Sequence, residues 1–507
     1  MNTKRMLGFT LPVLLAAALA GCQVIIPFVP ERILNLFLDG SAGAVGRGEF
    51  TAIQVDPRNE DSSGPAFVTS GDVDGDGMLD LATAWNESKP LQIHFQRRVN
   101  AGTPSETITF ETVTLAGDFP ITIVSGLEIA DMDGDGRNDI VAMIKDNGTF
   151  ARCRLTGEIL EAQDAPSGVI IIFFGPDDAA NATNALAWEQ VPLSQTETAG
   201  ASPADPSNPE AGGFTSMALA DIDGQDGLDI VVAFNANDCE GGGNRVEYYV
   251  NPGPDTARQS NAWAAIPIDL DAPPIKWVAT ADIDRDGDVD IVSTYPTARG
   301  QRLRWHRNPT IDVPDFFHIS DGTWQRGTVG QIEPGIDVIA MGDIDNDGIA
   351  DVVARSTAGQ LIVWFKGPQN PTTDPIRGLP WQVFTIAEFN TSAPRALKVA
   401  DLDGDGQLEV VASAAGALVA LAPFPSSTVF EQWDETLIID DEGAATPALT
   451  DPNVDPSEVA APGTIINGIE IVDLDGDGLV DIIGTLDRRG RSGVTNDAVI
   501  WFRNNGF

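Results

Sequence analysis

Histidine, cysteine and positive charge are all scarce in this chain. Its three histidines are His94 and, more than two hundred positions on, His306 and His318, too few and too scattered to argue for a histidine-built metal or catalytic centre. Lysine and arginine number 30 against 75 acidic residues, giving a formal net charge of −45. So acidic a chain is a poor partner for nucleic acid or an anionic lipid surface and a good one for cations. There is no G-x-S-x-G, no H-E-x-x-H and no phosphate-binding loop, so neither catalytic residues nor an organic cofactor site is identified. Helical periodicity is also missing from the repeated part of the chain. The apolar run at residues 7–20 is short for a membrane span. The only cysteines are Cys22, Cys153 and Cys239.

What the chain has instead is one motif written seven times. "DVDGDGMLD" starts at Asp72, "DMDGDGRND" at Asp131, "DIDGQDGLD" at Asp221 and "DIDRDGDVD" at Asp282. "DIDNDGIAD" starts at Asp343, "DLDGDGQLE" at Asp401 and "DLDGDGLVD" at Asp473. The intervals are 59, 90, 61, 61, 58 and 72 residues. Each copy follows a short alternating segment and precedes a β-branched run such as "DIVVAF" or "DVVARS". An aromatic-rich run comes next, then a fourth segment led by Trp or Phe, such as "WEQVPL" or "WQVFTI". Short runs of period two, broken by Gly, Pro and Asn, are strands and turns. Four strands repeated seven times give an all-β chain, a seven-bladed β-propeller with four-stranded antiparallel blades. The last unit stops after its third run, "VIWFRN". The orphan segment "FTAIQV" at residues 50–55 matches the piece it lacks, so that strand is expected to join the last blade and close the ring.

Four carboxylates within nine residues repel one another unless a cation lies among them. Calcium takes six to eight oxygens from carboxylates, carbonyls and water, whereas magnesium prefers a small octahedron with several waters. Loop positions 1, 3 and 5 can point inward together, glycine at 6 permits the turn, position 7 offers a carbonyl and position 9 closes the sphere. An EF-hand opens in the same way but needs an acidic residue at position 12 and flanking helices. Position 12 here is Thr83, Ala142, Val232, Ser293, Ala354, Ala412 or Gly484, each in a strand-like run, which rejects that reading.

The pattern D-x-D-x-D-G-x-x-D between two strands resembles the FG-GAP, or VCBS, repeats, which also build the propeller of integrin α subunits. The resemblance spans nearly all of residues 50–507. It implies that each loop joins the first and second strands of a blade and holds calcium, six or seven ions in all. Carried over by position, the side-chain ligands are Asp72, Asp74, Asp76 and Asp80; Asp131, Asp133, Asp135 and Asp139; Asp282, Asp284, Asp286 and Asp290. The later loops add Asp343, Asp345, Asp347 and Asp351; Asp401, Asp403, Asp405 and Glu409; Asp473, Asp475, Asp477 and Asp481. Backbone carbonyls would come from Met78, Arg137, Asp288, Ile349, Gln407 and Leu479. Two loops depart from the pattern. Glu409 is one methylene longer than aspartate. In the third loop Asp221, Asp223 and Asp229 keep register, but Gln225 stands at position 5 and Asp226 and Gly227 are displaced, so occupancy there is left open.

Strand alternation puts these loops on one face of the disc and the long insertions, residues 194–213, 440–464 and 145–168, on the other. Cys153 and Cys239 sit in equivalent turns of adjacent blades on that second face and are expected to pair, free or buried thiols being the alternative. Arg152, Arg154, Arg299, Arg302, Arg488, Arg489 and Arg491 gather there too, as an anion site or as solvated loop charge.

Lys4 and Arg5, the apolar run and "LAGC" ending at Cys22 resemble a bacterial lipoprotein signal. The expected organisation is therefore a signal at 1–21, a tether at 22–48 lipidated on Cys22, and the propeller at 49–507. Gln23 points to the outer membrane or cell surface, with membrane contact through the lipid anchor only. These features imply a non-catalytic calcium-binding propeller of the cell envelope, with adhesion or binding of a glycan or protein ligand on the face opposite the calcium loops. The alternative is a calcium-dependent enzyme resembling polysaccharide lyases.

Overall fold

The computed structural model describes residues 50–56, 63–86, 91–103, 106–115, 123–146, 150–152, 159–161, 167–193, 210–211, 213–225, 227–235, 244–269, 275–297, 300–309, 324–368, 381–389, 394–414, 417–423, 433–439, 465–487 and 498–506. The expected signal and tether, Cys22, Cys153, Cys239, His318 and Arg154, Arg299, Arg488, Arg489 and Arg491 lie outside them.

Seven antiparallel sheets are present, one per repeat. Blade 1 runs Ser63–Gly71, Asp80–Asn86, Leu91–Val99 and Thr107–Thr114. Blades 2 to 7 open with Ile123–Ala130, Gly213–Ala220, Val278–Ala281, Val338–Gly342, Pro394–Ala400 and Ile465–Val472. Strands pair in chain order, first to fourth, in blades 1 and 3 to 6. In blade 7 the fourth place is taken by Phe50–Gln54, which pairs with Ala498–Asn504 in the register Phe50 to Asn504 and Gln54 to Ile500. The Val55 N–H extends the ladder by donating to the Val499 carbonyl at 3.0 Å. The ring is closed as its sequence implied. Among the described residues no α-helix occurs, only three short 3-10 turns.

Blade 2 has more than four strands. Phe150–Arg152 and Ile159–Glu161 form a hairpin, and Glu210–Ala211 bridges it to Ser167–Phe174 by antiparallel pairs on one side and a parallel pair with Arg152 on the other. These pieces come from the insertions at 145–168 and 194–213. The polar composition of those segments carried no alternation by which to read them.

The second strands explain the β-branched runs. Asp229–Asn235 is buried along nearly its whole length because a blade is covered on both faces by its neighbours, so continuous rather than alternating apolarity is required. The outer strand Thr107–Thr114 alternates exposed and half-buried residues, as a strand with one wet face should. Seven hydrophobic cores result, and each lies between two successive blades rather than inside one. The seventh joins Leu474, Ile483, Val499 and Trp501 of blade 7 to Val68, Leu81 and Trp85 of blade 1.

The aromatic that leads each fourth segment belongs to the core shared with the preceding blade. Trp188, Trp263, Trp324, Trp381 and Trp433 do this for blades 2 to 6, Phe50 for blade 7 and Phe110 for blade 1. Phe110 meets Trp501 edge to face at 6.3 Å, and Trp433 meets Trp364 in the same way at 6.5 Å. These rings are inter-blade wedges, each fixing the angle between neighbours. Phe50 is 2% exposed and both wedges and closes the ring. Phe50→Ala should therefore cost about 3–5 kcal/mol. A denaturant midpoint that hardly moves would contradict the closure described here.

Candidate metal centres

Six of the seven acidic loops share one build, and the third departs from it at its turn. The first aspartate accepts hydrogen bonds from backbone N–H groups ahead of it: Asp72 from Gly75 (2.8 Å), Asp76 (3.1 Å) and Gly77 (2.9 Å). Asp131, Asp343, Asp401 and Asp473 repeat the pattern with the N–H groups of Gly136, Gly348, Gly406 and Gly478. That turn needs a left-handed residue at position 6, where Gly77 has φ +85° and Gly287 +99°. The second residue points the other way, into the core: Val73, Met132, Ile222, Ile283, Ile344, Leu402 and Leu474 are all buried. Alternation between ionic and apolar side chains thus nails one edge of the loop to the propeller and leaves the other free for a cation.

The ninth position is the deepest. Its carboxylate accepts from the backbone N–H of position 2 in all seven loops, at 2.8–3.1 Å: Asp80 from Val73, Asp139 from Met132, Asp229 from Ile222, Asp290 from Ile283, Asp351 from Ile344, Glu409 from Leu402 and Asp481 from Leu474. In six blades its second oxygen accepts from a backbone N–H at or just past the end of the third strand, or in blade 1 shortly before that end: Gln96, Gly175, Asn251, Asn308, Gly367 or Asn504. Burial pushes these carboxyls up, to about 7 for Asp80, Asp139, Asp229, Asp351, Asp481 and Glu409 and to about 8 for Asp290.

Blade 6 differs for a physical reason. The register Val410 to Leu421 places Pro423 where the other blades have that strand-end N–H, and proline has none to give. This is the one blade with glutamate, Glu409, at position 9. The two departures from the pattern are matched.

The side chain at the end of the third strand ties loops to one another. The amide of Asn308 donates to the carbonyl of Val289 in its own loop and to that of Ile222 in the preceding blade, at 3.0 and 2.7 Å. Asn251, Asn504 and Gln96 make the equivalent pairs, and Asn138 of blade 2 reaches the Asp72 carbonyl of blade 1 at 3.1 Å. The loops form a connected ring on one face.

Carboxylate oxygens of Asp72, Asp74 and Asp80 lie within 4.8 Å of one another, as do those of Asp131, Asp133 and Asp139; of Asp221, Asp223 and Asp229; of Asp282, Asp284 and Asp290; and of Asp343, Asp345 and Asp347. The third loop is among them despite its displaced turn, with Gly227 at φ +122°; Asp226 lies outside the described residues. The fifth-position carboxylates Asp76, Asp135, Asp286, Asp347, Asp405 and Asp477 accept the N–H of position 7, from Met78, Arg137, Asp288, Ile349, Gln407 and Leu479.

Sequence reasoning missed a set of bases at the third and fifth positions. Arg97 meets Asp74 at 2.8 Å and Asp76 at 3.4 Å; Arg258 meets Asp133 at 2.7 Å; Arg307, Lys366 and Arg503 reach the corresponding pairs in blades 4, 5 and 7. The signal was there: Arg307, Lys366 and Arg503 each precede the residue that ends the third strand, and Arg97 follows it. The bases face Oδ2 of the position-3 carboxylate. Oδ1 of Asp74, Asp284 and Asp345 is buried with no hydrogen-bond partner. A buried, unpartnered carboxylate oxygen costs several kcal/mol, and a donor set made only of oxygens suits a hard cation. The residues present therefore fit a metal ion.

His94 and His306, by contrast, are fully buried structural groups. They occupy the third-strand register of Phe365, paired to Leu81 and Ile291 as Phe365 is to Val352. His94 lies between the Thr83 and Thr112 hydroxyls at 2.8 and 2.9 Å, and burial pulls it down to about 3.

The repeats are FG-GAP-like: the FG-GAP-like repeat family model matches residues 72–142 and 343–412. With seven blades in a closed ring, the chain fits an FG-GAP-repeat propeller of the integrin-like kind. No curated protein matches it. Similar solved structures include BBS1N in complex with ARL6DN, at 13% identity and TM-score 0.46 over 90% of this chain and 98% of that one. The Dos1 propeller is similar at 10% identity and TM-score 0.44 over 91% and 96%. The rhamnogalacturonan lyase YesW is similar at 12% identity and TM-score 0.40 over 90% and 75%.

Positions 5 and 9 should separate in stability. Asp481→Ala strands two buried N–H groups and should cost about 2–6 kcal/mol with or without divalent ions. Asp477→Ala, at an exposed position, should cost less than about 1 kcal/mol in ion-stripped protein. Equal shifts in thermal midpoint for the two would refute the division of labour.

Proposed function

We propose that the chain is a calcium-stabilised, non-catalytic binding module of the cell envelope. The observation that carries this reading is the buried, partnerless carboxylate oxygen of Asp74, Asp284 and Asp345, set among clustered carboxylates that recur from blade to blade. It is a coordination sphere made of hard donors, in which an ion offsets a desolvation cost that the bases opposite relieve only in part. Seven calcium ions would add +14, leaving a formal charge near −31 from the −45 of the chain. Bound ions pin one face of the ring and leave the other, with its insertions, to meet a glycan or protein ligand. The lipoprotein-like start supports an envelope address with a lipid anchor.

Calorimetric titration of chelator-stripped protein should show uptake of six or seven calcium ions with weaker response to magnesium, and saturation should raise the thermal midpoint. Each site filled to a hundred times its dissociation constant adds about 2.7 kcal/mol. Absence of heat with calcium would overturn the reading. For the ligand face, Arg152→Ala combined with Arg489→Ala should weaken capture on an anionic-glycan array; unchanged capture would remove that basic group from the ligand site.

A further inference from the structure

The first strands of the seven blades surround a central cavity of about 260 Å³ to which every blade contributes. Its charges are arranged in two tiers. Glu128, Lys398 and Glu470 each stand three residues before the first aspartate of their loop and form the tier nearer the metal face. That tier is internally matched: Lys398 pairs with Glu470 at 3.1 Å, Ser70 donates to the same glutamate at 3.0 Å, and burial pushes Glu128 up to about 7.

The tier at the opposite mouth is different. Arg395 and Asn467 each stand six residues before their loop, and Arg355, in register with Val338, enters from the second strand of blade 5. Arg355 Nε is buried without a hydrogen-bond partner, and among the described residues neither arginine has a carboxylate within ion-pair distance. Asp337, the nearby acid, is committed to Lys276 and to the Thr357 N–H. Burial pulls the Arg355 guanidinium down to about 10; Asp337 opposes this and the charge of Arg395 adds to it. Trp277 stands beside them, fixed by two hydrogen bonds at 3.0 Å between its backbone and Thr294. In a chain of net charge −45, Arg355, with a buried unpartnered Nε, and the exposed Arg395 line the same cavity without a carboxylate partner among the described residues, and an anion there would supply one.

We propose that this mouth of the channel binds a small-molecule carboxylate, held by Arg355 and Arg395 and covered by Trp277. Guanidinium forks match the planar carboxylate, and an indole face suits a flat or ring-shaped body. The cavity has room for about nine waters' worth of ligand, in the range of a single sugar acid rather than a polymer. The site uses none of the acidic loops, so it goes beyond the calcium reading and stands apart from it.

The test is calorimetry on the calcium-loaded full chain with D-glucuronate, with D-glucose and inorganic phosphate as contrasts. Glucuronate should bind, glucose should not, and phosphate should bind more weakly. Arg355→Gln and Arg395→Gln should each weaken glucuronate by at least about tenfold. Arg355→Met should leave the thermal midpoint unchanged or raised, because it removes a buried charge with no partner. If Arg355 variants do not fold, the exposed Arg395 carries the test alone. No binding of glucuronate, equal binding of glucose, preference for phosphate, or unchanged affinity in the folded variants would overturn the proposal. None of those results bears on calcium uptake, which is read separately from the ion titration.

Discussion

A buried carboxylate that accepts a backbone N–H from its own loop, and in six of the seven blades a second from the third strand, is the joint of the blade. One bond comes from the second residue of the acidic loop and the other from the end of the third strand, so a single side chain holds the loop, the second strand and the third strand at fixed separation. Charge-assisted bonds of this kind are among the stronger ones available, and they have to be, because the group is taken out of water. The raised pKa of all seven such residues expresses what that burial costs. A nearby positive charge relieves it. The structure supplies some from the third strand, and the unpartnered oxygens of Asp74, Asp284 and Asp345 leave a place for more.

The same joint organises the ring. Because the second loop residue is drawn inward to make its bond, its apolar side chain is delivered to the core between blades. The side chain of the next blade's strand-end residue then clamps that residue's carbonyl, as Asn308 does to Ile222. Ionic loop, apolar wedge and amide clamp are one assembly repeated around the circle. Their cooperation explains why cores form between blades while no blade has one of its own.

Much of this was legible in the sequence because it recurs. A carboxylate pattern seen seven times, β-branched runs after it and an aromatic before the outer strand each fixed an element type and a register. The closing strand was legible for the same reason, as the one piece that the last repeat lacked. What stayed hidden is what occurs once. The extra strands of blade 2 lie in polar insertions without periodicity. Arg355 and Arg395 line one cavity only because two neighbouring blades turn different strands toward the axis, and nothing in their spacing announces it. The exchange of aspartate for Glu409 read as a tolerable lengthening. Only the register reveals that it accompanies the loss of a donor at Pro423.

The seam in blade 7 imposes an order of events. Thr51 and Asn505 share a 3.0 Å hydrogen bond although 454 positions separate them in the chain. Bringing such distant segments together carries a closure entropy that must be met before the seam's own contacts reward it. In a folding chain the Phe50–Gln54 edge therefore stays unpaired until Ala498–Asn504 is in place. Until that pairing forms, two unpaired β-edges are open to the edges of another copy.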